Sequence, residues 1–360
     1  MMLTCKLICS SSAEHLSQLY TGFGLLEKAG LIRLELTRGK DFEIGVMAKP
    51  VIKAVINNNI KVVYDTYDGD SFFYDELTWS DFYFKRSFNL CTIESGNLSN
   101  KIFPLGFNYS VYGPYDYSSQ RILWLINSIN RNTKPKDLAV QIIRNNYYLS
   151  RIFNTSNGKF NCDFRGFEQL PNAESEPKII FCTRLWDPNR TKSDARIAER
   201  VQMNNTRIEI IRKLRNEFRN LFVGGLEPTE FALRNYPEYV IIDRKTTKKN
   251  RYLQLLKQSA IGIATVGLLG SNGWKLAEYI AGSKAIVTEK INFSVPGNFQ
   301  EKTNYLKFTT PDECVENVTL LVENKEKRYE IMKHNFLYYQ EFLRPDNLIW
   351  NTLSKIMEIV

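Results

Sequence analysis

The sequence predicts an α/β protein built from two Rossmann-like domains facing across a cleft, with a C-terminal helix that packs back on the first domain. Three observations carry this expectation. A chain of 360 residues is long for one ordinary core and suits two. Its second half alternates continuous apolar runs with helical segments, the pattern of a parallel sheet covered on both faces. Between the halves, Leu170 to Pro177 carries two prolines and small polar residues without periodicity. The expected division is 1–170, a linker at 171–177, a second domain at 178–340 and a closing helix at 341–360.

In the first half, LTCKLICSS (3–11) is a strand candidate, followed by a helix near 14–29 closed by Gly30. LIRLELT (31–37), KVVYDTYD (61–68), DFYFKRSF (81–88) and KIFPLG (101–106) are further strand candidates. In the second half, KIIFCTRL (178–185) is a buried strand and 193–219 a long charged helix. NLFVGG (220–225) and YVIIDR (239–244) are read as strands, and 247–260 as an amphipathic helix with Tyr252, Leu255 and Leu256 on its apolar side. IGIATVG (261–267) is a strand, WKLAEYIAG (274–282) a helix, and KAIVTE (284–289) a strand. From about Arg328 the pattern is helical, broken at Pro345.

Composition removes several function classes. Hydrophobic residues at 43% and charged residues at 24% exclude wholesale disorder. Ala260 to Trp274 lacks charge but is too short to span a bilayer, and the N-terminus has no sustained apolar run, so no signal peptide is expected. Six scattered cysteines without a CxxC pair, and two histidines, argue against a zinc site or a disulfide framework and fit a cytoplasmic protein. The net charge of +9 asks for an anionic partner.

Two segments suggest which anion. In Gly267-Leu-Leu-Gly-Ser-Asn-Gly-Trp-Lys-Leu-Ala-Glu278 a strand runs into a glycine-rich loop, with a helix starting at about Ser271 to Gly273. Glycines let backbone amides approach a ligand, and the first N–H groups of a helix attract phosphate. Gly267, Ser271, Asn272 and Lys275 are therefore expected at a diphosphate. Glu278, one turn on, is expected to accept hydrogen bonds from a ribose diol. The second segment, TRLWDPNR, puts Arg184 at the tip of the first strand of the second half and Arg190 six residues later, both able to reach a diphosphate.

TRLWDPNR, the two glycines after the second strand, and KQSAIGIATVGLLGSNGWKLAEYIAGSKAIVTE together resemble the donor domain of GT-B glycosyltransferases, closest to the bacterial group 1 type that builds surface polysaccharides. The resemblance covers roughly 178–360 and reaches the first half only by architecture. It implies that Arg184 and Arg190 bind the donor diphosphate and Glu278 the nucleotide ribose. It also implies an acceptor-binding first domain and a glycan or lipid-linked glycan acceptor. Many relatives carry a second glutamate eight residues before the first, where this sequence has Gly270. No cofactor or metal is expected, the nucleotide sugar being a substrate.

Transfer to a hydroxyl also needs a proton acceptor. Glu14 and His15 follow the first strand, and His15 is the leading candidate base. Asp68-Gly-Asp70, near Asp65, fits both a DxD metal motif and ordinary turn chemistry, and Asp68 is an alternative base. The tyrosine-rich FNYSVYGPYDYSSQ (107–120) could stack on sugars or belong to core and turn. A nucleotide-sugar epimerase of the same fold and a basic nucleic-acid-binding protein are the rival readings. Against the latter, the Arg/Lys-rich 184–219 is interspersed with acids and holds no RNP, helix-turn-helix or zinc motif, so no nucleic-acid partner is expected. Contact with the inner face of an anionic membrane is expected if the acceptor is lipid-linked.

Overall fold

The computed structural model describes residues 2–11, 14–43, 49–95, 100–115, 139, 163–241 and 249–360. The chain divides into two compact units. One comprises Met1–Gly166, Asn292–Gly297 and Gln340–Val360, the other Phe167–Ile291 and Asn298–Tyr339.

The first unit contains β1 (Leu3–Ser11), β2 (Ile32–Glu43), β3 (Val51–Ile56), β4 (Ile60–Asp65), β5 (Phe82–Lys85) and β6 (Ile102–Pro104). They form one sheet in the order β2-β1-β3-β4-β5-β6. β3 runs antiparallel to both neighbours, and the other pairings are parallel. β3 is not among the strands expected from the sequence. Its cause is local: β3 and β4 form a hairpin across Asn57 and Asn58, whose φ angles of 49° and 65° lie in the left-handed region that asparagine tolerates. The remaining strands point one way, so β1, β4 and β5 deliver their C-terminal residues to a single edge. The expected strands at 61–68 and 81–88 stop at Asp65 and Lys85, and residues 66–68 and 86–88 leave the sheet at that edge.

The helix expected at 14–29 begins as a 3-10 turn, Glu14–Leu16, and continues as α1 (Ser17–Lys28). Short helices α2 (Tyr74–Trp79) and α3 (Leu90–Ser95) lie after β4 and β5. The C-terminal helix, Pro345–Ile359, belongs to this unit, burying Leu348, Ile349, Leu353 and Ile356 in a core with Leu7, Phe23, Ile52 and Tyr64. Gly22 makes the close approach to α1 possible: a Cβ there would lie 2.1 Å from the carbonyl oxygen of Pro345.

The second unit contains β7 (Ile179–Thr183), β8 (Phe222–Leu226), β9 (Ile261–Ala264), β10 (Ala285–Glu289) and β11 (Tyr305–Phe308), in the order β11-β10-β9-β7-β8. All these pairings are parallel. Counted within the unit, the order is 2-1-3-4-5, and chain order reverses between β7 and β9. Helices α4 (Asp194–Glu217), α5 (Glu230–Asn235), α6 (Lys249–Gln258), α7 (Trp274–Ala281), α8 (Pro311–Glu323) and α9 (Lys325–Tyr338) connect and extend the strands.

Three local details differ from expectation. At YVIIDR, Pro237–Tyr239 makes a 3-10 turn, only Val240 bridges to Leu226, and 242–244 lie outside the described residues. The helix start expected at about Ser271 to Gly273 lies at Trp274, after an N-cap at Gly273, because the glycine-rich loop makes its own 3-10 turn over Leu268–Gly270. At the unit boundary, Glu168 accepts from the Tyr339 hydroxyl (2.8 Å) and Gln169 Oε1 from Lys284 (2.7 Å), so the second unit starts at Phe167. Among the described residues, no helix is long and apolar enough to cross a membrane.

Candidate functional site

Open parallel sheets bind ligands beyond the carboxyl ends of their strands, where the strand order reverses. In the second unit that point lies between β7 and β9. The loops leaving it are 184–190 and 265–273, the two segments singled out from the sequence.

Helix α4 positions the first loop through side chains at i, i+4 and i+7. Arg200 donates to the carbonyl of Asp187 (2.7 Å), and Asn204 donates to the carbonyl of Trp186 (2.8 Å) and accepts its N–H (3.0 Å). Arg207 donates to the carbonyls of Arg184 (2.5 Å) and Val266 (2.8 Å) and to the Thr265 hydroxyl (3.0 Å), tying the exits of β7 and β9 together. Arg207 is 6% exposed, and burial lowers its pKa to about 10. Arg184 itself is exposed, its guanidinium 5.0 Å from the centre of the Trp186 ring. Arg190 ends a 3-10 turn with a largely exposed side chain. Both predicted arginines therefore stand in the loop at the switch point, the backbone of Arg184 held by buried Arg207 and the turn before Arg190 by half-buried Arg200.

The second loop is folded tightly. Gly267 N–H donates to the Ser271 carbonyl (2.8 Å), and a Cβ on Gly267 would lie 2.4 Å from Ser271 Oγ. Leu269 takes φ 64°, and its N–H donates to Glu199 Oε1 (2.6 Å), while Val266 N–H donates to Glu289 Oε2 (2.8 Å). Ser271 and Asn272 are buried. Helix α7 starts at Gly273 without a side-chain cap, the arrangement in which first-turn amides suit an anion.

Glu278 is placed differently from expectation. It is 4% exposed and lies in a cage of donors: Lys249 to Oε1 (3.0 Å), Tyr252 to Oε2 (2.6 Å) and Lys275 to Oε2 (3.1 Å). Burial alone would raise its pKa, but Lys249, Lys275 and the Tyr252 hydroxyl outweigh burial and bring it to about 2. A carboxylate has about four acceptor positions. With three taken, Glu278 has room for one further donor rather than both hydroxyls of a diol. Lys275 also lies 3.6 Å from the centre of the Tyr252 ring, which directs it towards the cage.

In the first unit, the C-terminal edge gathers all three predicted acid–base residues. Glu14 Oε1 accepts from Ser110 (2.9 Å), and the carbonyl of His15 accepts from Asn108 (3.0 Å). Asp68 Oδ1 accepts from Arg86, whose same nitrogen lies 3.5 Å from His15 Nδ1. Burial, followed by the Arg86 charge, lowers the His15 pKa against the opposing carboxylates of Asp68 and Glu14. Below them, Asp65 and Lys85 form a fully buried ion pair at 2.8 Å, with Tyr83 donating to the same carboxylate oxygen at 2.6 Å. Asp70 accepts from Asn89 (3.1 Å). The three aspartates thus face three different partners rather than converging on one point. Among the described residues no group of three His, Cys, Asp or Glu side chains is placed to hold a metal ion. Of the tyrosine-rich stretch, Tyr109 and Tyr112 are core residues and 116–120 lie outside the described residues.

Sequence reasoning missed Arg86, Arg207, Lys249 and the polar role of Tyr252. Only Arg207 left a signal, the polar series at 200, 204 and 207 beside the apolar stripe of α4. The others are brought to their partners by sheet order.

No protein-family model matches the chain, and no curated protein does. Among solved structures, it is similar to HepE from Anabaena in complex with UDP-glucose (11% identity, 96% of each chain covered, TM-score 0.38). It is similar to the C-terminal domain of the glycosyl transferase group 1 family protein LpcC from Francisella tularensis (11% identity, 49% of this chain and 96% of that one, TM-score 0.33). It is also similar to a UDP-GlcNAc 2-epimerase from Neisseria meningitidis bound to UDP-GlcNAc, of which it spans 63% (14% identity, 78% of this chain, TM-score 0.36).

Proposed function

We propose that the chain is a glycosyltransferase that moves a sugar from a nucleotide-sugar donor to a hydroxyl of a glycan or lipid-linked glycan in bacterial surface polysaccharide synthesis. The observation that carries this reading is the convergence at the β7/β9 switch point of exposed Arg184 and Arg190, the folded glycine loop and the uncapped start of α7. Those groups suit a diphosphate, in ground state and as leaving group. In the reaction the bond from the sugar's anomeric carbon to the diphosphate oxygen breaks, with the electron pair leaving on the diphosphate. A new bond forms to the acceptor oxygen, and the hydroxyl proton is taken up by a general base, for which Glu14, His15 and Asp68 are the candidates. Leaving-group charge is assigned to Arg184 and Arg190, and no metal is required. The remaining positive charge suits docking at the anionic inner face of the cell membrane.

Calorimetric titration with UDP, GDP, CMP and dTDP tests the reading. One nucleoside diphosphate or monophosphate should bind, and Arg184→Ala should weaken it by about ten- to a hundredfold, the worth of one hydrogen bond to a charged group. Binding unaltered in both Arg184→Ala and Arg190→Ala overturns the site.

A further inference from the structure

The Arg86 guanidinium is 2% exposed and projects from the end of β5 between two groups from other parts of the sheet edge. One of its nitrogens, Nη1, donates to Asp68 Oδ1 and faces His15 Nδ1 at 3.5 Å. Nη1 carries two hydrogens and no lone pair, so one hydrogen serves the carboxylate and the other is directed at the imidazole. A neutral imidazole holds one proton, and the partner of one ring nitrogen decides where it sits. A proton on Nδ1 would meet a cationic donor, whereas a lone pair there accepts from it.

We infer that Arg86 is a positioning residue that fixes His15 as the tautomer protonated on Nε2. This goes beyond the proposed reaction, rests on it only for its catalytic meaning, and divides the labour among the acid–base candidates. An imidazole protonated on Nε2 whose Nδ1 is occupied is a hydrogen-bond donor at Nε2 and has no nitrogen left to take a proton. The half-exposed Asp68 carboxylate, oriented by the same guanidinium, then receives the hydroxyl proton. Among the described residues, the charged groups that act on His15 include Glu14 on its own turn, Asp68 after β4 and Arg86 after β5. The two carboxylates favour the imidazolium and Arg86 opposes it, in the same direction as burial.

Nitrogen-15 NMR of the whole chain tests this without donor, acceptor or turnover, so it succeeds or fails independently of the transferase reading. The chain has two histidines, and the exposed His334 is identified by its loss in His334→Gln. In the wild type at pH 7, long-range proton–nitrogen spectra should show His15 protonated at Nε2. Arg86→Met should mix the tautomers and raise the His15 midpoint, because a charge that opposes the imidazolium is removed. Arg86→Lys should restore much of the wild-type pattern, and Asp68→Asn should lower the midpoint. A purely structural role would not move these two charge changes in opposite directions. An Nδ1-protonated wild-type His15 overturns the inference even if no variant folds. An unchanged His15 spectrum in folded Arg86→Met overturns it as well.

Discussion

Arg207 donates to the backbone carbonyl of Arg184 at 2.5 Å, so a buried cation holds the chain segment from which an exposed cation projects. The two arginines have different work. Arg207 is consumed by two carbonyls and a hydroxyl, while the Arg184 guanidinium rests on Trp186 at the strand exit.

Arg207→Met should therefore cost about 2–4 kcal/mol, because it strips charged hydrogen bonds from two carbonyls that two strand ends share. Arg207→Lys should recover only part, since a point charge cannot serve three acceptors in the geometry of a planar fork. Urea unfolding measures both. A Met variant within about 0.5 kcal/mol of wild type, the range of surface substitutions, would show that the strand exits hold themselves.

Glu278 makes stability depend on pH at the acid end. Its folded pKa of about 2 lies below the ordinary 4.5, so its contribution is complete above pH 4.5. That contribution is lost as pH falls through the folded value, over a window from about 4.5 to 2. The shift is worth roughly 3 kcal/mol at neutral pH. Glu278→Gln should lose about that much at pH 7 and show a shallower acid transition. An acid limb of equal steepness in both proteins would assign the transition to other carboxylates.

Lys284 acts in the opposite sense. It is fully buried, its ammonium faces Gln169 Oε1 at 2.7 Å, and burial together with nearby Lys257 lowers its pKa from 10.5 to about 7. Between those values the unfolded chain binds the proton more tightly, so stability rises with pH from about 7 to 10.5. The slope approaches about 1.4 kcal/mol per unit at most. Lys284→Met should stabilise the protein at pH 7 and remove this slope. Thermal denaturation at several pH values decides it, and equal slopes in both proteins refute the assignment.

Gly22 sets helix propensity against packing. Alanine in mid-helix is worth about 1 kcal/mol over glycine. Here its Cβ would lie 2.1 Å from Pro345 O and 2.7 Å from Ile349 Cγ1, neither of which can yield without moving the C-terminal helix. Overpacking of this kind costs about 1–3 kcal/mol, so Gly22→Ala should destabilise on balance. Hydrogen exchange should show the loss first in 345–359. A more stable variant would mean that the helix shifts freely.

Periodicity alone marked β7, β9, β10, α4 and α7 to within a few residues, because buried parallel strands and amphipathic helices each need a long repeated pattern. Composition likewise marked the loops at 184–190 and 267–273, since arginine at a strand tip and clustered glycine are local chemistry. Glu14, His15 and Asp68 were legible one by one for the same reason. What the sequence could not show is who meets whom. β3 enters antiparallel because two asparagines close a hairpin, and that insertion sets which strand ends share the edge where Arg86 lies between His15 and Asp68. Lys275 and Glu278 were visible as neighbours on one helix. The arrival of Lys249 and Tyr252 from α6, which turns a solvated carboxylate into a buried cage, was not. Local pattern depends on residues a turn apart, whereas charge partners are chosen by packing between elements dozens of residues apart, and only the tertiary structure contains that choice.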